Sequence, residues 1–208
     1  MISLILIRHA ETDMSGRFCG HSDPDLNAAG RARLPSIARQ TASLGIRRIF
    51  SSDLLRAART ADSVGHATGL KIELLPALRE IHFGQWEGLN WVEIEARFPR
   101  HAQAWIREFP ARGAPGGESY QDFSRRIDRS LDSIARGGAN SIAAVVTHRG
   151  VMRHVLSRIC GWSERETFER TAYGAIVPVV YPPGAAISPG SNRQTRHGGM
   201  SNDCKEEK

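Results

Sequence analysis

The chain has 208 residues and a mass of 22.9 kDa, the size of one domain with room for a small subdomain. Hydrophobic residues make up 40% and charged residues 24%, which excludes a disordered chain and leaves enough apolar surface for a core without disulfide or metal staples. The net charge is +6, and of the 28 basic residues only Lys71, Lys205 and Lys208 are lysine. Arginine suits phosphate and carboxylate because its planar fork binds two oxygens at once. Acidic and basic residues interleave along the chain without the basic stripe of a nucleic-acid footprint, so no nucleic-acid partner is expected. No apolar run approaches the roughly 20 residues of a membrane span, and Ile2 to Ile7 is too short for a signal peptide. Cys19, Cys160 and Cys204 are an odd number, far apart, which fits a reducing cytoplasm better than a disulfide framework or a thiolate metal site.

In chain order, Ile2 to Ile7 is an aliphatic run that reads as a strand covered on both faces. Asn27 caps a helix expected to reach about Leu44, with Pro35 kinking or restarting it. Arg47 to Phe50 reads as a second strand, followed by a helix from Leu54 to about Ala67 capped by Ser52 or Asp53. Lys71 to Leu75 is a third strand. Trp91 to Phe98 and His101 to Phe109 read as short helices separated by Pro99. A longer helix from Glu118 to about Arg136 is entered through Gly116-Gly117. Ile142 to Val146 is a buried strand, Val151 to Cys160 a helix and Ile176 to Tyr181 a last strand. Strands alternating with helices predict a three-layer α/β architecture with a mostly parallel central sheet and helices on both faces. Residues 1–182 form the expected domain; 183–208, rich in Gly, Ser, Asn and charge, read as a flexible tail.

In open α/β sheets, functional groups gather beyond the carboxyl ends of the strands. There the first strand presents Arg8-His9-Ala10-Glu11-Thr12. The second presents Ser51-Ser52-Asp53 with Arg56 just beyond, and the Ile142 strand presents Thr147-His148-Arg149-Gly150. Two histidines, each beside arginine at one sheet edge, point to a phosphate pocket.

These residues resemble the motifs of the histidine phosphatase (phosphoglycerate mutase-like) superfamily. Arg8-His9-Ala10-Glu11-Thr12 is similar to its RHG[ED][ST] signature, and Ser52 to Ala61 to its second block. Leu78 to Gly88 is similar to its acid-bearing block, and Gly117-Glu118-Ser119 and Thr147 to Gly150 to its last two. The resemblance implies a phosphatase in which His9 is the nucleophile and forms a phosphohistidine. Arg8, Arg56 and His148 would hold the phosphoryl oxygens, and Glu80 would move the proton. It further implies no cofactor, a small helical cap over the carboxyl edge at about 88–115, and a small phosphorylated metabolite as substrate; a homodimer is left open. Ser15, Cys19, Gly20, Arg149, His82 and Trp86 are the expected contacts to phosphate or substrate.

Three departures stand out: Ala10 for a glycine, Ser15 where the family often has asparagine, and Arg149 for a common glycine. The histidines show no HExxH, and His148 and His154 lie off one helix face, so no metal site is expected. Glu87 and Glu118 are alternative acids, Glu118 reading better as a first-turn helix residue; Asp53 reads as a cap and Cys19 as a small neutral contact. Phe83, Trp86, Trp91 and Trp105 read as core or as an aromatic wall over the pocket. The short stretch from 81 to 116 favours a phosphatase over a mutase, and the Phe83 to Glu87 run is most like α-ribazole-5′-phosphate phosphatases of cobalamin assembly. The alternatives are a broad-specificity phosphatase, a phosphoglycerate mutase, or a phosphate-binding interaction protein.

Overall fold

The computed structural model describes residues 1–138 and 141–182; the expected tail lies outside the described residues. Five strands, β1 (Ile2–Arg8), β2 (Arg48–Ser51), β3 (Ile72–Leu74), β4 (Ile142–Thr147) and β5 (Ile176–Tyr181), form one sheet in the order β3-β2-β4-β1-β5. The first four in that order are parallel, and β5 runs antiparallel along β1. Seven α-helices are described: α1 (Ala28–Ala42), α2 (Leu55–Thr68), α3 (Trp91–Arg97), α4 (Pro99–Glu108), α5 (Tyr120–Arg136), α6 (Arg149–Cys160) and α7 (Glu164–Arg170).

The aliphatic run of β1 divides its side chains between two cores because successive residues of a strand point to opposite faces. Leu4 and Leu6 join Phe123, Ile127 and Leu131 of α5 and Met152 and Val155 of α6. Ile5 and Ile7 join Ile37 of α1 and Ala57, Ala61 and Val64 of α2. The result is the three-layer α/β arrangement expected, each fully buried aliphatic side chain contributing about 1.5–3 kcal/mol. A third cluster lies between α3, α4 and the loops beside them, where Trp86, Ile94 and Ala102 are buried against Phe18, Trp91 and Trp105. No helix among the described residues is long and apolar enough to cross a membrane.

Several boundaries differ from expectation for local reasons. Asn27 does cap α1, its side chain accepting from the Gly30 amide, but the helix runs unbroken through Pro35. Pro35 is exposed, so water can serve the carbonyl that its missing N–H leaves free. The cap position of α2 is Leu54, without a side-chain hydrogen bond; Asp53 instead pairs with Arg79 at 2.5 Å. Pro99 opens α4 rather than standing between helices, since the first turn needs no N–H there. Helix α5 starts at Tyr120 with Ser119 as its cap, which leaves Glu118 outside it. Helix α6 starts at Arg149, two residues before the expected start.

Candidate active site

The site is built where β1, β2 and β4 end side by side. Arg8 pairs in register with Thr147, and the His9 amide donates to the Thr147 carbonyl at 2.9 Å. The Ser52 amide donates to the Val146 carbonyl at 2.9 Å, so the residues after all three strands share one edge.

His9 is buried, with its Nδ1 2.7 Å from the Ala10 carbonyl oxygen. A carbonyl only accepts, so Nδ1 carries the proton and Nε2 keeps its lone pair. Burial, then the charges of Arg56 and Arg8, hold the His9 pKa well below 6.5 and keep the ring neutral. The Ala10 amide donates to Thr60 Oγ1 at 3.0 Å, fixing the backbone that supplies this carbonyl.

His148 lies 5.1 Å from His9 between ring centroids, and its Nε2 is 2.8 Å from Ser52 Oγ. The Leu54 amide donates to that same oxygen at 3.3 Å. The other ring nitrogen, Nδ1, is a buried atom without a protein partner. Burial, with Arg56, His9 and Arg8 nearby, holds this pKa far below 6.5 as well.

Arg56 donates to the carbonyls of Ser22 at 2.7 Å and Gly20 at 2.8 Å. Arg8 donates to the Thr171 carbonyl at 2.9 Å, with its guanidinium 3.8 Å from the centroid of the Tyr173 ring. Burial, followed by the charge of Arg149, lowers the Arg8 pKa to about 10, still cationic at neutral pH. The Nε atoms of Arg8 and Arg56 are buried and unpartnered. Unpaired buried donors are costly, so this concentration of them beside His9 describes a seat for an anion.

Glu80 is buried and accepts from the amides of Ile81 at 2.9 Å and Gly150 at 2.8 Å. Its own carbonyl accepts from Arg126 at 2.7 Å, and Arg126 also holds the carbonyls of Ala77 and Arg79. Glu118 grips Arg126 through both carboxylate oxygens, at 2.7 and 2.8 Å, so it serves the turn before Glu80 rather than the first turn of a helix.

The remaining expected contacts are spread out. Cys19 is half-buried, its thiol pKa raised by burial, and its carbonyl is 3.3 Å from an Arg56 donor. The Gly20 amide donates to Glu87, and a Cβ at residue 20 would stand 2.1 Å from the Ile81 carbonyl. Ser15 is exposed on the turn after β1. The His82 ring stands 4.8 Å from His21. Trp86 has 0% exposure, so it cannot line a pocket wall as expected; Phe18, Trp91 and Trp105 cover it. Arg149 is half-buried beside Arg8 and Phe168. Among the described residues, no group of three His, Cys, Asp or Glu side chains is placed to hold a metal ion.

The residues that sequence reasoning missed are Thr171 and Tyr173. They precede β5, and because β5 is antiparallel, its amino end arrives at the carboxyl edge of the others. Reading only the positions after each strand passes over them.

Fold and site together define a three-layer α/β protein whose parallel strands end in an anion-accepting edge of two histidines and two buried arginines. The sequence profile of the histidine phosphatase superfamily (branch 1) matches residues 4–185, and the chain belongs to that superfamily. A bifunctional protein of Mycobacterium tuberculosis is 35% identical over 148 residues, 70% of this chain but only 40% of that protein, so the chain spans less than half of its length. A phosphoglycerate mutase from Thermus thermophilus is 36% identical with a TM-score of 0.65, covering 86% of this chain and 94% of that one. The α-ribazole phosphatase of Shigella flexneri has a TM-score of 0.76 at 23% identity, covering 90% of this chain and 99% of that one, a likeness of fold alone.

Proposed function

We infer that the chain is a phosphomonoesterase that works through a phosphohistidine on His9. The observation that carries this reading is the 2.7 Å contact from His9 Nδ1 to the Ala10 carbonyl, which leaves Nε2 unprotonated among the guanidiniums of Arg8 and Arg56. Nε2 attacks the phosphorus of a small phosphorylated metabolite, the P–O bond to the alcohol breaks, and Glu80 gives its proton to the departing oxygen. Water then attacks the phosphohistidine, the P–N bond breaks, and Glu80 takes the water's proton. Arg8, Arg56 and His148 hold the non-bridging oxygens as charge moves onto them.

Hydrolysis is favoured over phosphoryl return to a second alcohol because only residues 81 to 116 separate Glu80 from the Gly117-Glu118-Ser119 turn, and α3 and α4 already occupy nearly half of that stretch. The expectation of an α-ribazole 5′-phosphate substrate rests on the likeness of the Phe83 to Glu87 run and on an aromatic wall that includes Trp86. With Trp86 wholly covered, the wall keeps its Phe83 side and the likeness of the run carries the reading.

The test is acid-quenched turnover with labelled substrate. Wild type should carry acid-labile, base-stable phosphate on His9, and His9→Ala should lose the label and nearly all phosphate release. Label on a serine or cysteine instead would overturn the reading.

A further inference from the structure

The cations around His9 exceed what a phosphomonoester requires. Arg149 opens α6 directly after His148, and its Nε approaches the Thr171 carbonyl oxygen at 3.4 Å, the same oxygen that takes the Arg8 donor at 2.9 Å. Two guanidiniums thus converge on one acceptor. None of the ion pairs among the described residues involves Arg8, Arg56 or Arg149. The Arg149 guanidinium lies 4.4 Å from the centroid of the Phe168 ring, which holds its plane in place without supplying an acceptor. The proximity registers in the titration of Arg8, whose pKa is lowered by burial and then by the charge of Arg149.

The charge count decides what this arrangement fits. When Glu80 carries the proton it must deliver, Arg8, Arg56 and Arg149 present three positive charges to the two negative charges of a phosphomonoester. The third stands near the proposed proton donor: Gly150, the residue after Arg149, holds the Glu80 carboxylate at 2.8 Å through its amide, and the charge of Glu80 acts on the Arg149 guanidinium. We propose that Arg149 determines specificity: it receives a second anionic group, a carboxylate or another phosphate, carried by the substrate's leaving group close to the ester oxygen. This rests on the phosphomonoesterase reading above and adds the class of substrate to it.

Matched substrates test it. Glycerol 3-phosphate and 3-phosphoglycerate differ by one carboxylate; glycerol 1-phosphate and glycerol 1,2-bisphosphate differ by one phosphate on the neighbouring carbon. Wild type should favour the more anionic member of at least one pair by about 10-fold or more in kcat/KM, the worth of about one well-placed charge-assisted contact. Which pair shows the preference identifies the anion. Arg149→Met should bring that ratio close to one, and Arg149→Lys should keep part of it. The wild-type ratio should also shrink as salt rises from about 20 mM to about 300 mM, a readout independent of any variant's folding. Equal rates within both pairs for wild type, or an equal loss on both members in Arg149→Met, would overturn the proposal. p-Nitrophenyl phosphate separates the two failures. Hydrolysis of it without an anion preference sinks only the role of Arg149; no hydrolysis and no phosphohistidine sinks the phosphatase reading and this proposal together.

Discussion

Gly150 and Glu80 are seventy residues apart in the chain and in contact in the fold: a Cβ at residue 150 would stand 2.1 Å from Glu80 Oε1 and 2.9 Å from its carboxyl carbon. The absence of a side chain is what lets the Gly150 amide donate to the carboxylate and fix its position, from which the proposed mechanism delivers the proton. Gly150→Ala should therefore push the acid off its position while leaving His9 and its cations in place. Loss of general acid catalysis costs about 10²–10⁴-fold and matters most for poor leaving groups. An alkyl phosphate should slow by that order in Gly150→Ala, and p-nitrophenyl phosphate by less, because its phenolate scarcely needs protonation. Equal losses on both would show that the glycine serves the fold rather than the acid. The pairing of His9, Arg8, Arg56, Glu80 and His148 was readable in the sequence because each stands in a motif beside a strand end or in the acid-bearing block. That Gly150 is demanded by Glu80 was not, since the demand is a distance across the fold.

At the scale of elements, the loop from Cys19 to Ser22 is a seat for Arg56, and Glu87 is what holds the seat. Its carboxylate accepts from the amides of Gly20, His21, Ser22 and Phe83 and from the Ser22 hydroxyl, at 2.7–3.1 Å. Burial alone would raise its pKa; these hydrogen bonds outweigh that and hold it below the usual carboxylate range. A carboxylate so occupied is no general acid. Glu87→Ala should release the loop and let Arg56 drift from the phosphoryl oxygens. Misplacement by about 1 Å costs on the order of 10²-fold, read as a fall in kcat/KM on every phosphomonoester, p-nitrophenyl phosphate included. A change confined to melting temperature would contradict this. Other elements escaped sequence reading for a related reason. Helix α7 buries only Thr167 and leaves Phe168 64% exposed, so it has no apolar periodicity to betray it; its capping box at Ser163 and Glu166 is the signal that was there.

Across the whole molecule, burying two neutral histidines beside arginines makes stability depend on pH. His9 and His148 have folded pKa values well below 6.5, from burial first and then the charge of Arg56. Unfolded, each titrates near 6.5, at about the reference value. Below that pH the unfolded chain binds more protons, so the full stability present at about pH 7.5 declines as pH falls toward the folded values. Each histidine contributes up to ~1.4 kcal/mol per pH unit to that decline. Urea unfolding between about pH 7.5 and pH 5 should show it, and His9→Gln should remove up to one histidine's share of the slope; an unchanged slope would refute the buried-neutral assignment. The sequence by itself determined the layer architecture, the run of five motif blocks and the parallel strands, because strand and helix periodicities are local and the chemistry follows strand ends. Only the tertiary structure decided that β5 runs antiparallel and returns Thr171 and Tyr173 to the site, that Trp86 is covered, and that Arg149 shares a carbonyl with Arg8. Each of those depends on which surfaces meet across the fold, and no local pattern of residues encodes a meeting between segments far apart in the chain.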